Sequence, residues 1–169
     1  MQRNGTLPTY VFASVEPQML GDATEHLKTL NDITWFAPVT GRFDLVVQLK
    51  TTDPHQIYEV VNKIRRIHGI VSTQTYMPFE GFTNGKKVEN NEPLGLVLLS
   101  VSEQLPKVLE AMKQIPQVAE ALVVPGEFDI LATLKGRDYK EIISQVQKIA
   151  DVKGITTSET LFAYKPIWA

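Results

Sequence analysis

The second half of this chain repeats the first at a constant spacing of 85 positions, and that duplication limits the fold more than any other feature of its 169 residues. Val39-Thr40-Gly41-Arg42-Phe43-Asp44 returns as Val124-Pro125-Gly126-Glu127-Phe128-Asp129. The same ungapped shift sets Leu49 on Leu134, Asp53 on Asp138, Ile57 on Ile142, Ile64 on Ile149, Gly69 on Gly154 and Thr75 on Thr160. Turns, helix caps and core positions do not fall into one register by chance, so the chain holds two copies of one unit.

The pattern within a unit sets its fold. Tyr10 to Val15 is rich in β-branched and aromatic residues, as a strand requires. Leu20, Ala23, Leu27 and Leu30 recur at spacings of three and four, one face of a helix over about residues 18–30. Residues 33–39 and 45–50 make a hairpin around the Gly41 turn. A helix then starts with Asp53 as N-cap, Pro54 at its first position and Gln56 placed to reach back to the cap; Gly69 stops it. Its end is basic, with Lys63, Arg65, Arg66 and His68, which complements the helix dipole. A fourth strand covers residues 70–77. The order is βαββαβ, the ferredoxin-like unit. The second copy gives strands at 94–101, 119–124, 130–135 and 155–164 and helices at 105–115 and 139–150, with Pro106 in a first helical turn.

The expected architecture is therefore α+β, two tandem ferredoxin-like βαββαβ domains at 9–80 and 94–165. The polar stretch 81–93 is the linker, residues 1–8 a loose leader, and the short tail presents Trp168 to a surface. An antiparallel sheet with both helices on one side leaves its other face to be covered, so the two sheets are expected to pack face to face as a pseudo-dimer. The alternation of Val11, Ala13 and Val15, and of Val97, Leu99 and Val101, supplies apolar side chains.

Composition excludes several functions. A net charge of -2 gives no footprint for nucleic acid or anionic membrane, and direct DNA binding is disfavoured. The absence of cysteine removes disulfides, thiolate catalysis and cysteine-ligated metal. The N-terminus has no apolar signal region and no stretch is long enough for a membrane span, so a cytoplasmic protein is the default. His26, His55 and His68 have no counterparts in the second copy, and neither a catalytic acid/base pair nor metal-ligand spacing is present.

What remains is the repeated Gly-x-Phe-Asp turn. Glycine suits a positive φ, and the short carboxylate can accept hydrogen bonds from turn N–H groups or from a ligand amine. The final strand of each copy carries Thr73 and Thr75, or Ser158 and Thr160, two residues apart and so on one face. An aspartate and two hydroxyls suit a small zwitterion. They equally suit a self-bonded turn beside a threonine-rich strand, and both readings stand.

The Val-x-Gly-x-Phe-Asp turn, preceded by Gln114-Ile115-Pro116-Gln117-Val118 and followed by Val152-Lys153-Gly154-Ile155-Thr156-Thr157-Ser158-Glu159-Thr160, resembles the ligand-binding (RAM) domain of the Lrp/AsnC transcription regulators. The second copy is the better match. The resemblance implies a non-enzymatic module that binds an amino-acid-like effector near the turn, forms homo-oligomers and regulates transcription through partners, including hetero-assembly with helix-turn-helix relatives. It implies no cofactor and no metal. The ligand-binding positions it carries over are Gly41, Arg42, Phe43, Asp44, Thr73 and Thr75, with Gly126, Glu127, Phe128, Asp129, Ser158 and Thr160. The chain departs from the family in having only about eight residues, not a helix-turn-helix domain, before its first strand. Arg42 faces Glu127 and Arg65-Arg66 face Ala150-Asp151 in the internal alignment, so the two sites need not share a ligand. The alternatives are a haem- or porphyrin-related enzyme on the same fold, and a pure assembly module.

Overall fold

The computed structural model describes residues 7–84, 92–164 and 166–168. The first unit runs β1 (Tyr10–Val15), α1 (Leu20–Leu27), β2 (Ile33–Pro38), β3 (Leu45–Leu49), α2 (Pro54–Arg65) and β4 (Ile70–Tyr76). After β5 (Glu80–Thr83) the second unit gives β6 (Leu94–Val101), α3 (Leu105–Lys113), β7 (Val118–Val123), β8 (Ile130–Lys135), α4 (Tyr139–Ala150) and β9 (Ile155–Ala163), and β10 (Ile167–Trp168) follows. The strands form two antiparallel five-stranded sheets, ordered β10-β2-β3-β1-β4 and β5-β7-β8-β6-β9.

Three apolar layers hold this together. One lies between the sheets, built from Tyr10, Phe12, Trp35, Val46 and Tyr76 of the first unit against Leu96, Leu98, Leu122, Leu131 and Leu161 of the second. The other two lie between each sheet and its own helices. The face-to-face packing is as expected, but on the opposite strand phase: Val11, Ala13 and Val15 lie under the first unit's helices, and Val97, Leu99 and Val101 under the second's. Tyr10, Phe12, Leu96 and Leu98 meet across the sheets instead. Side chains alternate along a strand, so a strand buried on both faces reads as a continuous apolar run and does not announce which face is which.

Two segments expected to be peripheral are structural. β5 comes from the polar connection yet pairs with β7, placing Phe82 in the second unit's helix-side core. β10, from the tail, pairs with β2 and sets Ile167 against the first unit's helix-side core. Each sheet thus receives its outer strand from the segment that follows the other sheet, and 85 positions separate Phe82 from Ile167. The rest of the expected linker at 85–91, and the Trp168 ring, lie outside what is described. Leu7, placed in the leader by its sequence position, is buried between the sheets.

Both long helices start as their sequences dictate. Asp53 Oδ2 accepts the Gln56 N–H at 3.0 Å and Asp138 Oδ1 accepts the Glu141 N–H at 2.8 Å. The return arm differs from expectation. Gln56 Oε1 accepts from the Thr51 hydroxyl at 2.6 Å, and that hydroxyl accepts the Asp53 N–H at 3.1 Å, so the cap closes through Thr51. His68 lies in the turn after α2 and not on the helix.

Candidate functional site

The repeated turn does two jobs before any ligand is considered. Gly41 and Gly126 have φ of 114° and 145°, where a side chain is strained. The aspartates are fixed by the backbone of the neighbouring strand. β1 changes register between Ser14 and Val15, and β6 between Ser100 and Val101, leaving an amide without a ladder partner at each irregularity. Asp44 Oδ2 accepts the Val15 N–H at 2.8 Å, and Asp129 Oδ2 accepts the Val101 N–H at 2.7 Å. The Asp44 N–H donates to Ala13 O and the Asp129 N–H to Leu99 O, both at 2.9 Å. The repeat of the aspartate follows from the repeat of the bulge.

The phenylalanines anchor the turns. Phe128 is buried between the sheets and Phe43 packs on the same layer, 5.1 Å from the Phe12 ring centroid. Arg42 then joins the two turns. Its Nη1 lies 2.9 Å from Glu127 Oε1, its Nε 2.7 Å from Glu159 Oε2, and its guanidinium 4.9 Å from the centroid of Phe128. Hydrogen bonds to the two carboxylates hold Arg42 protonated well beyond the ordinary arginine range. Residues equivalent in the two repeats, Arg42 and Glu127, thus touch each other, as equivalent residues do beside a two-fold axis.

The hydroxyls do not join the turn. Thr73 and Thr75 sit opposite Ala13 and Val11, and Ser158 and Thr160 opposite Leu99 and Val97, which places all four on the helix side of their sheets. Asp44 and Thr73 flank Ala13 from its two neighbouring strands, a separation of roughly 10 Å at ordinary strand spacing. The residue between the hydroxyls, Glu159, is the one that turns to the other face and meets Arg42.

The two turns also differ in their surroundings. A side chain at Gly41 would run into Leu161 Cδ2, whereas at Gly126 nothing stands within 4 Å. Beside the Gly126 turn opens a cavity of about 460 Å³ walled by Asp129, Pro125 and Val124, by Gln104 and Leu105 at the start of α3, and by Phe79. Gln104 has φ of 60°, the left-handed region, and gives α3 no side-chain cap. A left-handed non-glycine residue at a cavity wall is a frequent companion of function. Gln104 and Phe79 had no signal in the sequence: the first is set by a backbone angle, the second by the crossing of the chain from β4 to β5.

A second polar cluster lies between the sheets, with Tyr10, Glu120 and Thr133 buried and Gln48 at its half-buried end. Tyr10 donates its hydroxyl to Glu120 Oε1, Thr133 Oγ1 lies 3.2 Å from the same oxygen, and Gln48 Nε2 donates to the tyrosine oxygen at 3.0 Å. Burial raises the Glu120 carboxyl above its ordinary value and, with the neighbouring carboxylate, pushes the Tyr10 phenol well up. Among the described residues no group of three or more His, Asp or Glu side chains is arranged to hold a metal ion.

The sequence matches the Lrp/AsnC ligand-binding domain twice, over residues 9–87 and 96–168. The chain belongs to the Lrp/AsnC ligand-binding domain family. Membership implies small-molecule binding and oligomerisation in general terms, and no helix-turn-helix domain is matched within the 169 residues. A search of curated proteins finds no sequence match. Among solved structures, this tandem Lrp/AsnC chain is similar to the siroheme decarboxylase NirDL in complex with an iron-uroporphyrin III analogue, at 11% identity over 95% of this chain and 72% of that one, TM-score 0.73. It is also similar to a mutant chlorite dismutase from Candidatus Nitrospira defluvii in complex with cyanide, at 6% identity over 94% and 89% of the two chains, TM-score 0.62. A third likeness is to a major regulator of staphylococcal pathogenesis, at 8% identity over 94% and 99%, TM-score 0.54. At such identities the likeness is one of fold, shared by enzymes and a regulator alike. Among the described residues no helix is long and apolar enough to cross a membrane.

Proposed function

We infer that the chain is a non-enzymatic effector-binding and assembly module of Lrp/AsnC type, which takes a small amino-acid-like molecule beside the Gly126 turn and acts on transcription through partner proteins. The observation that carries this reading is the cavity at Asp129. Its volume falls in the range of ligand pockets, and its wall combines apolar residues with Ser102, Glu103, Gln104 and Asp129. One oxygen of Asp129 holds the Val101 N–H, and the other has no hydrogen-bond partner among the described residues. That free oxygen suits an ammonium group. At the start of α3 Pro106 has no N–H and the Lys107 N–H is given to Gln104 O at 2.9 Å, so the Leu105 N–H is the first-turn donor left in the wall for the carboxylate of the same zwitterion, with Glu103 beside it. Ser158 and Thr160 are outside this wall, so the hydroxyl half of the expected site is replaced by a helix start.

The placement of the histidines supports the non-enzymatic reading over a porphyrin enzyme. His26, His55 and His68 are all exposed, and none of them borders the Asp129 cavity.

Asparagine at position 129 would still accept the Val101 N–H while losing the charge, so Asp129→Asn separates the ligand from the turn. In a thermal-shift screen of amino acids, a ligand at 100 times its dissociation constant adds about 2.7 kcal/mol to wild type and to Asp44→Asn, and little to Asp129→Asn. Equal stabilisation of all three proteins would leave Asp129 a turn residue only. A screen without any binder would make assembly the function.

A further inference from the structure

We propose that the cavity between the end of α2 and the start of β4 is an anion-binding site, separate from the Asp129 cavity, which takes the carboxylate or phosphate group of a small molecule. The cavity has a volume of about 400 Å³ and is lined by Arg65, Ile70, Val71, Ser72 and Thr73. β4 is the outermost strand of its sheet, so one side of its backbone is unpaired there. Ser72 and Thr73 are neighbours, and successive strand residues point to opposite faces. A cavity that touches both therefore wraps around the open edge of β4. It offers two hydroxyls and edge backbone groups to whatever the guanidinium attracts.

The charge is what gives the site a sign. Arg65 makes no ion pair among the described residues, and neither does Arg66 next to it, whereas Lys63 two residues earlier is tied to Asp32 at 3.1 Å. Glu16 is the acidic residue brought to this corner by a neighbouring element, through its N–H to Gly69 O at 2.9 Å, and it forms no ion pair with Arg65 among the described residues. A planar guanidinium with free donors beside hydroxyls matches the geometry of carboxylate and phosphate.

The duplication supplies an internal control. At the same place in the second unit Ala150 ends α4, and Asp151 follows it. Both helices end in the same way, with the residue after the last turn in right-handed conformation and the same glycine stop at positive φ. The fold therefore has no need of an arginine at position 65. Complementing the helix dipole does not demand it either, since Lys63 already stands in the last turn, as Lys148 does in α4.

The test is titration of the purified chain with sodium phosphate and with sodium succinate, followed by calorimetry and melting temperature, with chloride added to hold ionic strength constant. Saturable binding of one or both is expected. Phosphate alone would identify a phosphoryl ligand, and succinate alone a carboxylate. Arg65→Gln should weaken binding roughly tenfold or more, the loss of one charged hydrogen-bonding group, and Thr73→Val should weaken it less. Arg66→Gln, one residue away but outside the cavity wall, should bind as wild type. Equal weakening by the two arginine variants, or a response that never saturates, would reduce the effect to surface charge and overturn the proposal.

Discussion

Glu120 is a side chain whose ionisation the fold resists. It is buried between the sheets, held by the Tyr10 and Thr133 hydroxyls, and its carboxyl is raised above its ordinary value of 4.5 chiefly by burial. A carboxyl raised in the native state binds protons there that the unfolded chain has already lost. Its stabilising contribution is therefore complete below about pH 4.5 and falls as pH rises through the native value. Glu120→Gln keeps the shape and an acceptor for Tyr10 while removing this titration. In urea unfolding across a pH series, the variant should gain on wild type as pH rises from 4.5, and match or exceed it at neutral pH. A difference independent of pH would mean that the carboxyl pays no desolvation cost.

At this scale the sequence showed which residues recur but not what they bond to. Asp44 and Asp129 were legible as special because they recur with Gly41 and Gly126. Their partners, the Val15 and Val101 amides, are set by register irregularities that no residue type announces. Thr73, Thr75, Ser158 and Thr160 were correctly paired with each other on one face, yet that face looks to the helices and away from the turn.

At the scale of elements, the helices and eight of the strands follow from periodicity, caps and glycine stops, because those signals are local. The pairing of β5 with β7 and of β10 with β2 is non-local and rests on short segments. Glu80–Thr83 is a four-residue strand in a polar stretch, legible only by the 85-position shift that sets Phe82 on Ile167. The reciprocal crossing makes each unit depend on the chain beyond the other. Removing residues 165–169 should uncover the Ile33–Pro38 edge of β2 and take Ile167 from the first unit's helix-side core. Amide exchange in β2 should then accelerate, while β7, still covered by β5, stays protected. Uniform acceleration of both strands would show instead that the two sheets open as a single unit.

At the scale of the whole molecule, duplication in one chain permits what two identical subunits cannot have. Near a two-fold axis of identical copies a residue meets its own kind, and a charged residue there meets like charge. Here the equivalent positions carry Arg42 and Glu127, which pair, and Glu159 adds a second carboxylate. The contact is part-exposed, with 38% of the Arg42 side chain open to solvent, so screening keeps its value to the order of 1 kcal/mol or less. Arg42→Glu would set three carboxylates together and should cost more than Arg42→Ala, because repulsion replaces an absent attraction. The double exchange Arg42→Glu with Glu127→Arg should recover part of that loss, though not the bond to Glu159, which is placed for the Nε of Arg42. Salt separates the electrostatic part from the rest: the gap in unfolding free energy between wild type and Arg42→Ala should narrow as sodium chloride is raised from roughly 0.05 to 0.5 M, where the screening length falls below 10 Å. A gap that salt leaves unchanged would assign the role of Arg42 to its stacking on Phe128, 4.9 Å away, and the charge asymmetry between the repeats would carry no cohesion.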